Sequence, residues 1–395
     1  MENIENSFIK KNKEKLNIFG EFVSYLYVIS VFLNSKLNMK IGYILLGLGI
    51  LKLIFFRKEI KNINKNIYGM FVLLFLIGII TNFLVLRDNG VNVFINENSK
   101  FIYSAFLLLF LKNKFKKINI SINIGIMILC IGIFLKNPWF LDGSYARQRG
   151  VLILGIIYII IDFLENFLKN EYKKLYSLPV ILFSCYTMVI LNSRMAVLVI
   201  IGCVILYCLF ILFFRREYKV YKVFIMLFLG TFLTFVSLPN SYKEHLKTSF
   251  YTKNNGSNEA RIIMWKAGIN IFKENPILGI GTAPKTAKKE LVKYVENNMK
   301  DHWLANDFIK NQPYSRLHSM YIDFFVQNGI FGILYLLLLF GIIPIEFYKK
   351  RYETIATSAF FSILGFYIYG ITWSIWSDYG IIQTAFQIIL AIMLI

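Results

Sequence analysis

All three histidines of this chain, His245, His302 and His318, fall in one polar stretch in its second half. Imidazole is the side chain most easily poised as a proton acceptor near neutral pH, so their coincidence points to that stretch as the reactive part. No His-Glu-x-x-His and no closely spaced histidine pair is present, so neither a metal nor a cofactor is expected. His318, in Ser315-Arg316-Leu317-His318-Ser319, stands at the mouth of a long apolar run. A helix N-terminus there disfavours imidazolium and keeps a neutral ring able to take a proton. His245 and His302 read as interfacial histidines wetted by lipid headgroups.

Guanidinium groups are the second ingredient. At helical spacing Arg261, Trp265, Gly268 and Phe272 share one stripe, which suits a surface helix with an interfacial indole and an arginine reaching for phosphate. A structural cation–π pair is an equal alternative for Arg261 and Trp265. The helix stops at Asn275-Pro276, and Gly279 and Gly281 follow, spaced to allow a tight turn with exposed N–H groups. No strand precedes them, so a dinucleotide fold is excluded. Arg194, in Asn192-Ser193-Arg194, is the strongly polar break in an apolar stretch from Leu178 to Phe214, and an ionisable group at that depth is a functional candidate unless it snorkels. Arg147 and Arg149 lie in another connection on the same side. Arginines and a histidine converging at one membrane surface are what a lipid-linked pyrophosphate requires.

These residues must be positioned by helices in lipid. The chain of 395 residues is 57% hydrophobic and 17% aromatic, with a mean hydropathy of +0.57. That is too apolar for a soluble domain of this size. Crossing a hydrocarbon core of about 30 Å takes about 20 helical residues, and about twelve runs qualify. The fold class is therefore an all-α, polytopic membrane protein. The weakest run is the fourth, Val91 to Leu111, and the ninth is Val220 to Leu238. Lys and Arg crowd the N-terminus and every second loop, as in Arg57-Lys58, Lys114-Phe115-Lys116-Lys117, Arg215-Arg216 and Lys349-Lys350-Arg351, which places both termini in the cytoplasm. Much of the net charge of +21 is explained this way, and its dispersal between apolar runs argues against nucleic acid as a partner. Cys130, Cys185, Cys203 and Cys208 lie inside apolar runs and read as small core residues.

One connection is long. Residues 239–317 carry Ile262, Ile263, Trp265, Leu278, Ile280 and Trp303, enough to pack a small helical cap on the outer face between the ninth and tenth spans. The chain thus divides into N-terminal spans (1–177), a region containing the long loop (178–345) and C-terminal spans (346–395).

The order Asn192-Ser193-Arg194, Arg261-x-x-x-Trp265, Asn275-Pro276-Ile277-Leu278-Gly279-Ile280-Gly281, His318-Ser319-x-Tyr321 and Gln327-Asn328-Gly329-Ile330-Phe331-Gly332 resembles the O-antigen ligase and O-antigen polymerase family, from about Leu178 to Pro344. The resemblance implies a metal-independent, inverting GT-C-type glycosyltransferase of the bacterial inner membrane. It would move a glycan from an undecaprenyl diphosphate donor to an acceptor hydroxyl, such as that of lipid A-core, on the periplasmic face. Carried over, Arg194 and Arg261 would bind the pyrophosphate, with Arg147 and Arg149 added from the neighbouring loop. His318 would activate the acceptor, and Gly279, Gly281 and Gly329 would shape the site beside Trp265. Ser319 and Asn328 depart from the family's usual Asn and Glu, which bears on acceptor contacts more than on reaction class. The single large loop favours a ligase over a polymerase. A lipid-linked sugar flippase and a glycan sensor are the readings from other classes.

Overall fold

The computed structural model describes residues 2–55, 65–85, 91–92, 101–111, 115–171, 175–215, 256–311, 316–374 and 380–394. Among these the chain is helical throughout: α1 (Glu2–Ser30), α2 (Ser35–Phe55), α3 (Lys65–Val85), α4 (Phe101–Phe110), α5 (Phe115–Phe134), α6 (Tyr145–Leu168), α7 (Ser177–Ile190), α8 (Arg194–Phe210, continued by a π turn), α9 (Gly256–Glu274), α10 (Pro284–Asn298), α11 (Met320–Lys349), α12 (Thr354–Gly370) and α13 (Gly380–Leu394). Ser35–Phe55, Lys117–Phe134, Tyr145–Leu168, Arg194–Arg215 and Met320–Lys349 are long and apolar enough to cross a membrane. The expected ninth span, the first part of the long loop and His245 lie outside the described residues, and so does most of the first half of the fourth run.

Helix α6 is the axis of the bundle and packs most extensively on α12. It is buried almost all round from Val151 to Ile159, as a helix enclosed by other helices must be. Hydrophobic burial does not separate Leu from lipid, so the contact relies on close fit. A Cβ on Gly365 would lie 2.2 Å from Ile157 Cδ1 and 3.1 Å from Cys203 Sγ. Ser362 Oγ donates to Leu154 O across the same seam at 2.7 Å. Cys203 is buried here as a small core residue.

The helix ends sort to two faces. At one, Leu141 N donates to Leu33 O (2.8 Å), Arg149 reaches Leu191 O at the end of α7 (3.0 Å from Nε), and Tyr321 Oη donates to Tyr367 O (2.7 Å). At the other, Lys169 Nζ meets Thr354 Oγ1 (2.8 Å), Lys350 Nζ meets Leu394 O (2.9 Å), and the fully buried Glu165 and Arg215 pair. The alternation of up and down helices with short turns gives this directly.

On the first face α9 and α10 build a separate layer with its own core of Ile263, Met264, Ile271, Leu291, Val295, Leu304 and Phe308. Leu317 and Val326, just before and within the first turns of α11, belong to that core and not to the bundle's. Beyond them α11 turns Ile330, Leu334 and Leu337 outward, the pattern of a lipid-facing surface.

Candidate active site

His318 sits between the outer layer and the bundle, one residue before the N-cap of α11. Its backbone is left-handed, with φ +53°, a conformation that costs a residue with a Cβ roughly 1–2 kcal/mol. Asp323 helps to hold that bend, because its buried carboxylate accepts the Leu317 N–H at 3.2 Å while its own N–H donates to Ser319 O at 3.0 Å. The ring meets Trp373 edge to face, centroids 4.9 Å apart. Burial lowers the imidazole pKa from 6.5 to about 4, with the positive charge of Arg261 acting in the same direction. Above that pH the ring is neutral and can take a proton.

Arg261 reaches this point from the first turns of α9, where Nη1 also donates to Asn258 Oδ1 at 2.9 Å. The stripe read from the sequence is the face by which α9 packs on α11. Gly268 has no room for a side chain, since a Cβ would lie 2.3 Å from Ile322 Cγ2, and Phe272 meets Phe325 with centroids 6.2 Å apart. Trp265, about one turn before Gly268, has its Nε1 buried and without a hydrogen-bond partner among the described residues, as have Trp373 at Nε1, Gln327 at Nε2 and Asn328 at Oδ1. Leaving such atoms dry costs about 1–3 kcal/mol each, so they suit a polar ligand.

The glycines have a shared structural reason. Helix α11 breaks at Gly329 (φ 56°, ψ −139°). Ile330 N therefore donates to Pro276 O (2.8 Å), and the freed carbonyls of Val326 and Gln327 accept Ile280 N (2.8 Å) and Gly281 N (3.0 Å). The loop after α9 is thus stitched into the break. A Cβ on Gly329 would fall 2.3 Å from Ile277 O, and one on Gly279 2.5 Å from Val326 O. The exposed N–H groups foreseen for Gly281 are spent on this seam. Thr282 then anchors to Asn82 of α3 through its N–H (2.8 Å), and its carbonyl accepts Arg316 Nη1 (3.1 Å).

The remaining arginines form another group on the same face. Arg149 binds Leu191 O, which holds the Asn192-Ser193-Arg194 turn against α6. Arg147 pairs with Asp142, whose carboxylate also accepts Ser35 Oγ at 2.7 Å. Arg194 starts α8, which packs along α12, the helix leading to Trp373. A cation at a helix's positive end does not stabilise that helix. Among the described residues no group of three His, Cys, Asp or Glu is placed to hold a metal.

Sequence reasoning left Trp373, Arg316 and Asp323 without a role. A tryptophan at the end of an apolar run reads as an interfacial anchor, and nothing in residue type marks which carbonyl Arg316 will meet.

Residues 179–337 match the O-antigen ligase family. They include Arg194, Arg261, Trp265, Gly279, Gly281, His318 and Gly329, while Arg147, Arg149 and Trp373 lie outside the match. An uncharacterized protein of Haemophilus influenzae is 23% identical over 357 residues, 83% of this chain and 85% of that protein. The chain is accordingly a multi-pass membrane protein with a region similar to the O-antigen ligase family.

Proposed function

We propose that this protein is an O-antigen ligase-like transferase with about twelve spans, its termini in the cytoplasm and its site on the periplasmic side of a bacterial inner membrane. The donor is a glycan on undecaprenyl diphosphate, and the acceptor is the hydroxyl of a glycolipid such as lipid A-core. The observation that carries the reading is a histidine kept neutral by burial and by Arg261, at the seam between the outer layer and the bundle.

That pairing suits one displacement. The acceptor oxygen forms a bond to the anomeric carbon as the bond from that carbon to the diphosphate oxygen breaks, with inversion. The electron pair leaves on the diphosphate, where Arg261, joined by Arg194, stabilises the growing charge. The acceptor proton passes to His318. A bound diphosphate also offsets the charge of Arg261, which removes one of the two causes of the low pKa and strengthens the base once the donor is in place. Neither step calls on a metal or nucleotide sugar.

In proteoliposomes supplied with lipid-linked glycan and lipid A-core, Arg261→Ala and His318→Ala should each lower transfer by about 100-fold or more, as expected for a charge stabiliser and a general base. Full activity in both variants would remove the site. Lengthening of the lipid-linked glycan in place of transfer to the core would identify a polymerase working through the same residues.

A further inference from the structure

Trp303 is 61% exposed in the turn after α10, far more than its neighbours Leu304 and Ala305, which are buried. It is nevertheless held rigidly. Its Nε1 donates to Glu259 Oε2 at 2.6 Å. Its six-membered ring lies over Gly256, where a Cβ would stand 3.1 Å from Cη2. His302 stacks alongside, ring planes 24° apart, with Nε2 3.8 Å from Glu259 and Nδ1 accepting the Leu304 N–H at 3.2 Å.

An indole that anchors a protein in lipid keeps its N–H toward the wet headgroups and has apolar neighbours. Trp303 does the reverse. Its N–H is turned inward, and the exposed residues around it in the chain are Lys300, Asp301, Asn306 and Asp307. A flat apolar face ringed by hydrogen-bonding groups fits a pyranose, which offers C–H bonds on one face and hydroxyls at its edge. We propose that Trp303, Glu259 and His302 form a glycan-binding subsite on the outer layer: the indole stacks on a sugar ring while the carboxylate and imidazole bind its hydroxyls. It stands at the first turn of α9, the helix that carries Arg261, on the side away from that residue. The ring it holds is therefore a different one from the sugar at the reacting bond. The proposal rests on the transferase reading for its ligand, but binding here does not require turnover.

The test uses the full chain in detergent and, as probe, the oligosaccharide released by mild acid from the cell's lipid-linked glycan, freed of lipid and phosphate. Titration calorimetry should show saturable binding that Trp303→Ala weakens on the order of tenfold, a usual aromatic-contact contribution, and Trp303→Phe retains. Wild-type indole fluorescence should shift on binding, and the difference between wild type and Trp303→Phe assigns the signal. Equal binding by wild type and Trp303→Ala, or none by wild type, overturns the subsite. So does brominated-lipid quenching in proteoliposomes that is present in wild type and lost in Trp303→Phe, because it puts the indole in the bilayer. A chain that binds the probe through Trp303 yet transfers nothing keeps the subsite and loses the transferase. One that transfers but binds without regard to Trp303 does the opposite.

Discussion

Replacing Gly329 by alanine tests whether the break in α11 holds the site together. The new Cβ would lie 2.3 Å from Ile277 O, 2.5 Å from Ile277 C and 2.7 Å from Pro276 O, and the backbone there has φ +56°. The left-handed strain costs about 1–3 kcal/mol and the overlap about as much again, so the seam should weaken by about 2–6 kcal/mol. Gly341, in the same helix, has open space around it, and alanine there should be neutral or stabilising by under about 1 kcal/mol. Hydrogen exchange reads the difference locally, since the amides of Ile280, Gly281 and Ile330 are the donors of the seam. In Gly329→Ala these should lose protection by a factor of roughly 30 or more, transfer should fall with them, and Gly341→Ala should match wild type. If Gly329→Ala keeps wild-type protection and activity, the stitched loop is not what positions Arg316 and His318.

Other outcomes follow from the same contacts. Because the folded His318 pKa is about 4 against 6.5 for a free imidazole, the unfolded chain takes up a proton that the folded one refuses between these values. Stability from this group should fall as pH drops from 6.5 to 4 and be unaffected above, and the acid limb of kcat/KM for the donor, which reports the donor-free enzyme, should lie well below 6.5; a stability plateau through that window in wild type, equal to that of His318→Gln, would contradict it. Arg149→Ala should loosen the α7–α8 turn by about 1–2 kcal/mol, seen as a lower melting temperature, while donor affinity measured at saturating lipid changes far less than in Arg261→Ala. Glu165→Gln leaves the buried Arg215 without its charge partner and should destabilise the chain by about 3–5 kcal/mol in a detergent melt, with the Glu165→Gln/Arg215→Met double variant recovering much of the loss.

Residue types carried much of this architecture openly. Apolar runs of membrane length, such as those now seen as α6, α8 and α11, and the stripe from Arg261 to Phe272 follow from periodicity, which is set by local geometry. Charge at loops such as Lys169 and Lys350 likewise announced which helix ends lie together. What residue type could not announce was pairing between distant backbones. Gly279 and Gly329 advertise unusual φ, yet only the fold shows that the carbonyls freed by one are taken up by the loop of the other. Arg147 and Arg149 look like free phosphate binders in the sequence because a carboxylate and a carbonyl brought in from elsewhere carry no sequence signal. Trp303 and Trp265 are indistinguishable by type, but one faces solvent and the other keeps its N–H buried.

The sharing of Leu317 and Val326 with the outer core has a practical side. Anyone wishing to excise that layer as a water-soluble fragment would naturally cut where the membrane helix begins, at Met320. Such a cut removes Val326 together with the acceptors for Ile280 and Gly281, leaving a piece without its floor. A fragment designed to fold should run on to Asn328 and end there, with Val326 and its seam intact and the greasy shaft beyond left behind.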